Sequence, residues 1–255
     1  MKRSLLLTYG IFSYVVFLGT FLYALGFVGN FIVPKGIDSE PQLSTPIALA
    51  IDVLLLALFA LQHSIMARPA FKRWWTRLIP AAVERSTYTL FSSLALIVLF
   101  VFWQPLGGVV WQVDNPIGVF ALWTGFGFGW LLVLISTFLI NHFDLFGLRQ
   151  VWTYFRGQLY TPLRFGTPGP YKLVRHPLYL GWLFAFWCIP VMTITHLVFA
   201  LVTTAYILLA IRWEERDLVT ALGEDYRAYR REVPMIVPLR FPSMQKRAQS
   251  PAEQP

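Results

Sequence analysis

Gly169-Pro170-Tyr171-Lys172-Leu173-Val174-Arg175-His176-Pro177-Leu178-Tyr179-Leu180-Gly181 opens the stretch that decides the fold. Apolar sequence follows to Ile211, and Arg212-Trp213-Glu214-Glu215 closes it. Chemically capable groups therefore stand at both ends of one apolar run. That run, 178–211, is 34 residues long. As a single helix it would measure about 51 Å, against a hydrocarbon core of roughly 30 Å. Two helices with a turn near Pro190 to Thr195 fit better. Proline interrupts a helical ladder, and Thr193, Thr195 and His196 supply polar turn chemistry. A hairpin returns the Arg175-His176-Pro177 loop to the side that carries Glu214 and Glu215.

Working outward, the composition sets the class. The chain is 56% hydrophobic and holds several segments long enough to cross a bilayer, so it reads as a polytopic membrane protein. The first apolar segment is too long for a cleaved signal peptide and lacks a small-residue cleavage site. The single cysteine, Cys188, excludes an internal disulfide and a cysteine-cluster metal site. The net charge is +8. In a soluble protein this would point to nucleic acid. Here basic residues in short loops read as orientation signals, and the partner is the lipid bilayer.

The expected fold is all-α, a bundle of about six transmembrane helices. Spans are placed at 5–33, 46–67, 88–103 and 116–140, with the hairpin supplying the last two. With the N-terminus in the cytoplasm, 20 of the 21 Lys and Arg residues fall on the inner side and only Lys35 falls outside. That bias predicts N-in, C-in topology. Five spans would strand the arginine-rich C-terminal region outside. Residues 1–242 form one domain, with 163–238 as its cofactor-binding part, and 243–255 reads as a disordered tail.

This placement gathers His63, His142, His176 and Glu214 at the cytoplasmic face. Gln62-His63-Ser64 reads either as part of a site or as a solvated helix end. Residues 141–151 read as an interfacial turn or as side chains reaching a site. Asp52, inside the second span, is a functional candidate or a paired structural acid. Arg68, Lys72, Arg73, Arg77 and Arg85 with Trp74 and Trp75 read as interfacial anchoring. Gly125, Gly127 and Gly129 predict close helix packing rather than a phosphate loop. His196 falls on the far side, where it is expected to be solvated. Beyond Glu214, Leu218, Leu222, Tyr226 and Tyr229 make the apolar stripe of one or two charged helices.

The groups at the cytoplasmic face would suit a ligand with a carboxylate, an amine, a ribose and a cationic centre. Pro177 suits a first helical turn, whose free amides can receive a carboxylate. Tyr171, Tyr179 and Trp182 offer rings. Glu214 and Glu215 accept hydrogen bonds from an ammonium or a ribose. S-adenosylmethionine carries a carboxylate, an ammonium, a ribose and a cationic sulfonium that aromatic faces attract.

The ordered combination Arg175-His176-Pro177-Leu178-Tyr179-Leu180-Gly181, Glu214-Glu215, Leu222-Gly223-Glu224-Asp225-Tyr226-Arg227-Ala228-Tyr229 and Val233-Pro234 resembles the membrane-embedded isoprenylcysteine carboxyl and phospholipid methyltransferase superfamily. The resemblance implies S-adenosylmethionine as methyl donor, with cofactor roles for Tyr171, His176, Pro177, Leu178, Tyr179 and Glu214. The loop Leu163-Arg164-Phe165-Gly166 would add backbone contacts. The prenylcysteine enzymes place a substrate arginine shortly before the Glu-Glu pair; Arg212 is near, at a different spacing.

The Gln62-His63-Ser64 segment and residues 141–151 are similar to the bacterial methanethiol S-methyltransferases, relatives of a membrane group named for nitrite and nitric oxide reductase clusters. This implies methyl transfer to methanethiol, giving dimethyl sulfide, in a bacterial inner membrane. His63 or His142 would then help deprotonate the thiol, and Arg149 or Arg212 would stabilise the anion. A larger lipidic acceptor remains open. So does a metal- or haem-handling role for the histidines, although they form no short ligand motif. A transporter has little support, because midplane charge is sparse.

Overall fold

The computed structural model describes residues 1–238; the tail expected at 243–255 lies outside the described residues. Among them, five helices are long and apolar enough to cross a membrane. These are α1 (Lys2–Gly29), α2 (Thr45–Ala67), α4 (Glu84–Phe102, led by a 3-10 turn at Ala81–Val83), α5 (Pro116–Ile140) and α9 (Ile194–Leu222). Short helices fill the connections: α3 (Pro69–Trp75), α6 (His142–Leu145) and α7 (Leu148–Phe155). The remaining two are α8 (Pro177–Trp187) and the terminal α10 (Glu224–Glu232). The chain is an all-α integral membrane bundle. Its outer surfaces show why: Leu54 is 69% exposed and Phe120 73% exposed, apolar residues suited to lipid rather than water.

The hairpin is present, but its limbs are unequal. The first limb, α8, has 11 residues and rises only about 16 Å. The chain then runs extended to Thr193, because Pro190 cannot continue the ladder. Val191–Thr193 (β2) pairs antiparallel with Val109–Gln112 (β1), part of a segment expected to be plain loop. This two-stranded ribbon covers the turn. His196, expected to be solvated, is instead fully buried beneath it. Its backbone N–H donates to Thr193 Oγ1 at 3.0 Å, capping α9, and its ring Nε2 donates to the Phe186 carbonyl at 2.9 Å.

The third span is longer than its apolar run suggests. It begins near Ala81 rather than Tyr88, because Ser86, Thr87, Thr89, Ser92 and Ser93 are buried inside the bundle rather than marking its edge. Tyr9 of α1 donates to Thr87 Oγ1 at 3.0 Å, one such buried link. The first span ends at Gly29, short of the expected 33, because Asn30 caps it in the left-handed region at φ 58°.

Asp52 is buried and accepts from the Gln104 N–H at 2.8 Å, tying α2 to the chain leaving α4. Its Oδ2 is buried with no hydrogen-bond partner among the described residues.

Helices α5 and α8 cross in close contact. A Cβ on Gly129 would lie 2.6 Å from the Gly181 carbonyl oxygen, and one on Gly181 would lie 2.7 Å from that of Gly129. Only glycine lets these backbones approach so closely. Gly125 likewise abuts Cys188, whereas Gly127 has open space around it and takes no part. The crossing fixes α8 on the bundle and so positions the Arg175-His176-Pro177 loop at its start. Helix α9 continues past the apolar stretch without a break, carrying Glu214 and Glu215 on the same rigid rod. It stops at Gly223, whose φ of +61° turns the chain into α10.

Candidate active site

Where α8 begins and the apolar part of α9 ends, two polar clusters lie back to back on α9. The first is closed. Glu215 Oε1 receives Arg175 Nε at 2.7 Å, Arg175 Nη2 at 2.7 Å and His176 Nε2 at 3.1 Å. The Arg175 guanidinium also donates to the carbonyls of Arg230 and Val233, and its backbone N–H donates to Pro234 O at 2.8 Å. The next amide, His176 N–H, reaches Met235 O at 3.1 Å. The C-terminal segment is thereby clasped under the loop. Tyr229 reinforces it by donating to the Tyr171 carbonyl at 2.6 Å.

Glu215 lies three residues beyond Arg212, outside the apolar stretch of α9. Burial pushes its carboxyl up, but hydrogen bonds from His176 and Arg175 outweigh burial and hold it at about 2. A carboxyl lowered on folding stabilises fully above its ordinary value of about 4.3 and loses that contribution as pH falls. The stability gap between the wild type and Glu215→Gln should therefore hold at pH 6 and close as pH falls toward 2. Thermal unfolding in detergent at stepped pH measures this.

The second cluster is open. Glu214, half-buried, accepts from the Tyr179 hydroxyl at 2.9 Å through Oε2. Its Oε1 takes no hydrogen bond among the described residues. Tyr171 stands near; burial, then the Glu214 charge, pushes its phenol well up, so it remains a neutral donor. The ladder of α8 starts with Leu180 N–H to His176 O at 3.0 Å. The amides of Leu178 and Tyr179 lie ahead of it, and Pro177 leads the turn without an N–H to satisfy.

Deeper in the bundle, two more helices, α2 and α4, add polar groups beside those of α9. Tyr88 of α4 has its hydroxyl 2.7 Å from His63 Nε2, and His63 Nδ1 lies 3.1 Å from Ser92 Oγ. The ring of Phe59 stacks on His63 with centroids 5.2 Å apart. Ser64 Oγ and the Tyr206 hydroxyl are 3.0 Å apart, joining α2 to α9. Tyr88 lies within electrostatic reach of both Tyr206 and Glu214. Four helices thus converge on one polar, tyrosine-lined site.

The other expected residues lie elsewhere. His142 is buried between α1 and α5, stacked on Phe138 at 4.3 Å. The Thr137 hydroxyl donates to the Leu134 carbonyl at 2.7 Å, so His142 Nδ1–H must donate to Thr137 Oγ1, 2.8 Å away. Nε2 then accepts from the Tyr14 hydroxyl at 2.9 Å. Both nitrogens are occupied, and burial pushes the imidazole down. Arg149 pairs with Asp144 at 2.8 Å and lies over the Tyr160 ring. Arg212 is exposed. Two residues before Glu214, at about 100° per residue, it points to the opposite side of α9.

Leu163 and Arg164 line a cleft of about 460 Å³ with Asn141, His142 and Phe143. Phe165 packs on the rings of Tyr226 and Tyr229, and Gly166 lies in open space. The three histidines stand apart, on Tyr88, Tyr14 and Glu215 respectively. Among the described residues no three His, Cys, Asp or Glu side chains gather to hold a metal ion.

The contacts of Tyr88, Ser92 and Tyr206 with His63 and Ser64 do not stand out in sequence, because an apolar span with a few hydroxyls reads as packing. The available signal was the four-residue spacing of Tyr88 and Ser92, which puts both on one face of α4.

Comparison with known proteins gives a consistent result. The chain is 58% identical over 238 residues to the methanethiol S-methyltransferase of Crocosphaera subtropica, covering 93% of each chain. It is 52% identical to that of Mycobacterium tuberculosis, covering 93% of this chain and 98% of the relative. Nurim of Rattus norvegicus is 32% identical over 183 residues, 67% of this chain and 68% of its own. No family model and no solved structure matches the chain.

Proposed function

This chain belongs to the methanethiol S-methyltransferase family, and from that premise we propose that it methylates methanethiol to dimethyl sulfide with S-adenosylmethionine as donor. We place the site at the cytoplasmic face of a bacterial inner membrane, in an N-in, C-in chain. The charge bias supports this orientation, with Lys35 alone on the ribbon side. On this reading α8 and the extended residues after it make the fifth, shortened crossing.

The observation that carries the proposal is the open carboxylate of Glu214 beside Tyr171 and Tyr179, at the start of α8. The donor set fits the methyl donor group by group. Glu214 Oε1 is available to an ammonium or a ribose hydroxyl. The Leu178 and Tyr179 amides suit a carboxylate, and the tyrosine rings suit a sulfonium. Arg175, His176 and Glu215 position this loop from behind; on this reading His176 and Glu215 shape the site rather than face the ligand. The strap Leu163-Arg164-Phe165-Gly166 borders it through Phe165.

The bound donor supplies an electrophilic methyl group on a positively charged sulfur. The protein's task is then to hold the thiol in line and remove its proton. Holding two reactants together supplies much of the rate. His63 is the base we retain, because it shares the polar cluster that reaches Glu214 through Tyr88. His142 and Arg149 are committed to internal partners, and Arg212 points away.

Headspace gas chromatography on cells expressing the chain and fed methanethiol tests the proposal. Dimethyl sulfide above the vector control supports it. None from protein that binds S-adenosylmethionine would move the acceptor to a larger thiol or a lipid.

A further inference from the structure

We infer that Tyr88 is a catalytic residue of this reaction, holding the thiol of the acceptor and passing its proton to His63. The inference rests on the methyl-transfer reading above and extends it. Its starting point is that His63 has no free nitrogen. Nδ1 is 3.1 Å from Ser92 Oγ, and the Tyr88 hydroxyl lies 2.7 Å from Nε2 and 3.1 Å from Nδ1. Phe59 covers one face of the ring. A thiol therefore reaches the imidazole only through the phenol.

Tyr88 occupies the place such a relay requires. It comes from α4, His63 from α2, and it lies within electrostatic reach of Glu214 and Tyr206 on α9 and of Tyr179 on α8. The donor cluster thus lies within electrostatic reach of the hydroxyl that contacts the base. Its proton donates to His63 Nε2 while its oxygen retains lone pairs able to accept a thiol proton. A phenol is both donor and acceptor, which a relay needs.

The step balances. The thiol S–H bond breaks as a new O–H bond forms on Tyr88, and the original Tyr88 proton moves to His63 Nε2. The thiol sulfur bonds the methyl carbon as the bond between that carbon and the donor's sulfur breaks, and the electron pair of that bond stays on the donor's sulfur. The positive charge lost there reappears on the imidazolium. Ser92 holds that ring through Nδ1–H, and the face of Phe59 favours the cation. The proton then leaves to water at the membrane face. The charged and titratable neighbours are Glu214, Tyr206 and Tyr179 opposite, with Arg85 on α4 and Arg68 after α2.

The test uses the full chain in lipid nanodiscs, comparing the wild type with Tyr88→Phe, His63→Gln and the double variant. Binding of labelled S-adenosylmethionine reports folding and an intact donor site independently of turnover. The expected result for Tyr88→Phe is donor affinity within twofold of wild type and kcat lowered roughly 100-fold at neutral pH. The defect should shrink as pH rises toward the thiol's own ionisation, because a preformed thiolate needs no relay. The double variant should be no worse than the poorer single one.

Wild-type turnover by Tyr88→Phe would overturn the inference. So would a loss unchanged by pH, or one that is additive with His63→Gln. A wild type that binds no S-adenosylmethionine would instead overturn the underlying reading.

Discussion

Glu214→Ala should weaken S-adenosylmethionine binding about 10- to 100-fold and take dimethyl sulfide formation down with it. The estimate follows from losing one charge-assisted hydrogen bond, about 1.5–3 kcal/mol. Glu214 holds Tyr179 through Oε2 at 2.9 Å, and its Oε1 takes no hydrogen bond among the described residues. Alanine removes both functions, so the tyrosine loses its anchor as well. Glu214→Gln keeps the shape and an acceptor but loses the charge, and should fall between. Tyr179→Phe isolates the anchoring part, with a smaller loss because the carboxylate survives. Equilibrium binding of labelled donor to purified protein ranks the three. The fold should be unaffected, because the clasp beneath the loop uses Glu215 instead.

Arg175→Ala should be the most destabilising substitution at this end of the bundle, by about 3–5 kcal/mol. It strips a buried carboxylate of its main partner, leaving Glu215 with His176 at 3.1 Å and the outlying Arg230 at 3.5 Å. It also frees the carbonyls of Arg230 and Val233, which the guanidinium ties to the loop. Arg175→Lys should rescue little, because one ammonium cannot serve a carboxylate and two carbonyls in that fork. Removing both charges, as Arg175→Met with Glu215→Leu, should recover much of the stability, since no unpaired charge remains. Activity should stay low if this network positions the loop. Thermal unfolding beside a turnover assay separates these contributions.

Much of this was legible before any coordinates. The hairpin follows from one length: an apolar run too long for a single crossing, with Pro190 to break it. The resemblance to the superfamily follows from four motifs in order. The inequality of the hairpin's limbs was not legible, because α8 is held by a backbone contact between Gly129 and Gly181 rather than by its own hydropathy. The division of labour between Glu214 and Glu215 was also hidden. Adjacent residues on a helix point about 100° apart, and only packing decides which of the two is tied to Arg175 and His176. His142 looked like His63 in sequence, a lone histidine near a span end. Tyr14 and Thr137, remote or unremarkable in sequence, occupy both its nitrogens. Tyr88 reads as a span boundary in sequence because its helix buries hydroxyls that a linear pattern assigns to an edge.

We propose that the methyl group passes directly from S-adenosylmethionine to methanethiol at the Glu214 cluster. The most direct measurement supplies purified protein in nanodiscs with methanethiol and S-adenosylmethionine trideuterated at its methyl group, and reads the headspace by mass spectrometry. Trideuterated dimethyl sulfide from the wild type, lost with Glu214→Ala, is the predicted result. Unlabelled dimethyl sulfide, or no product from protein that binds the donor, would contradict it.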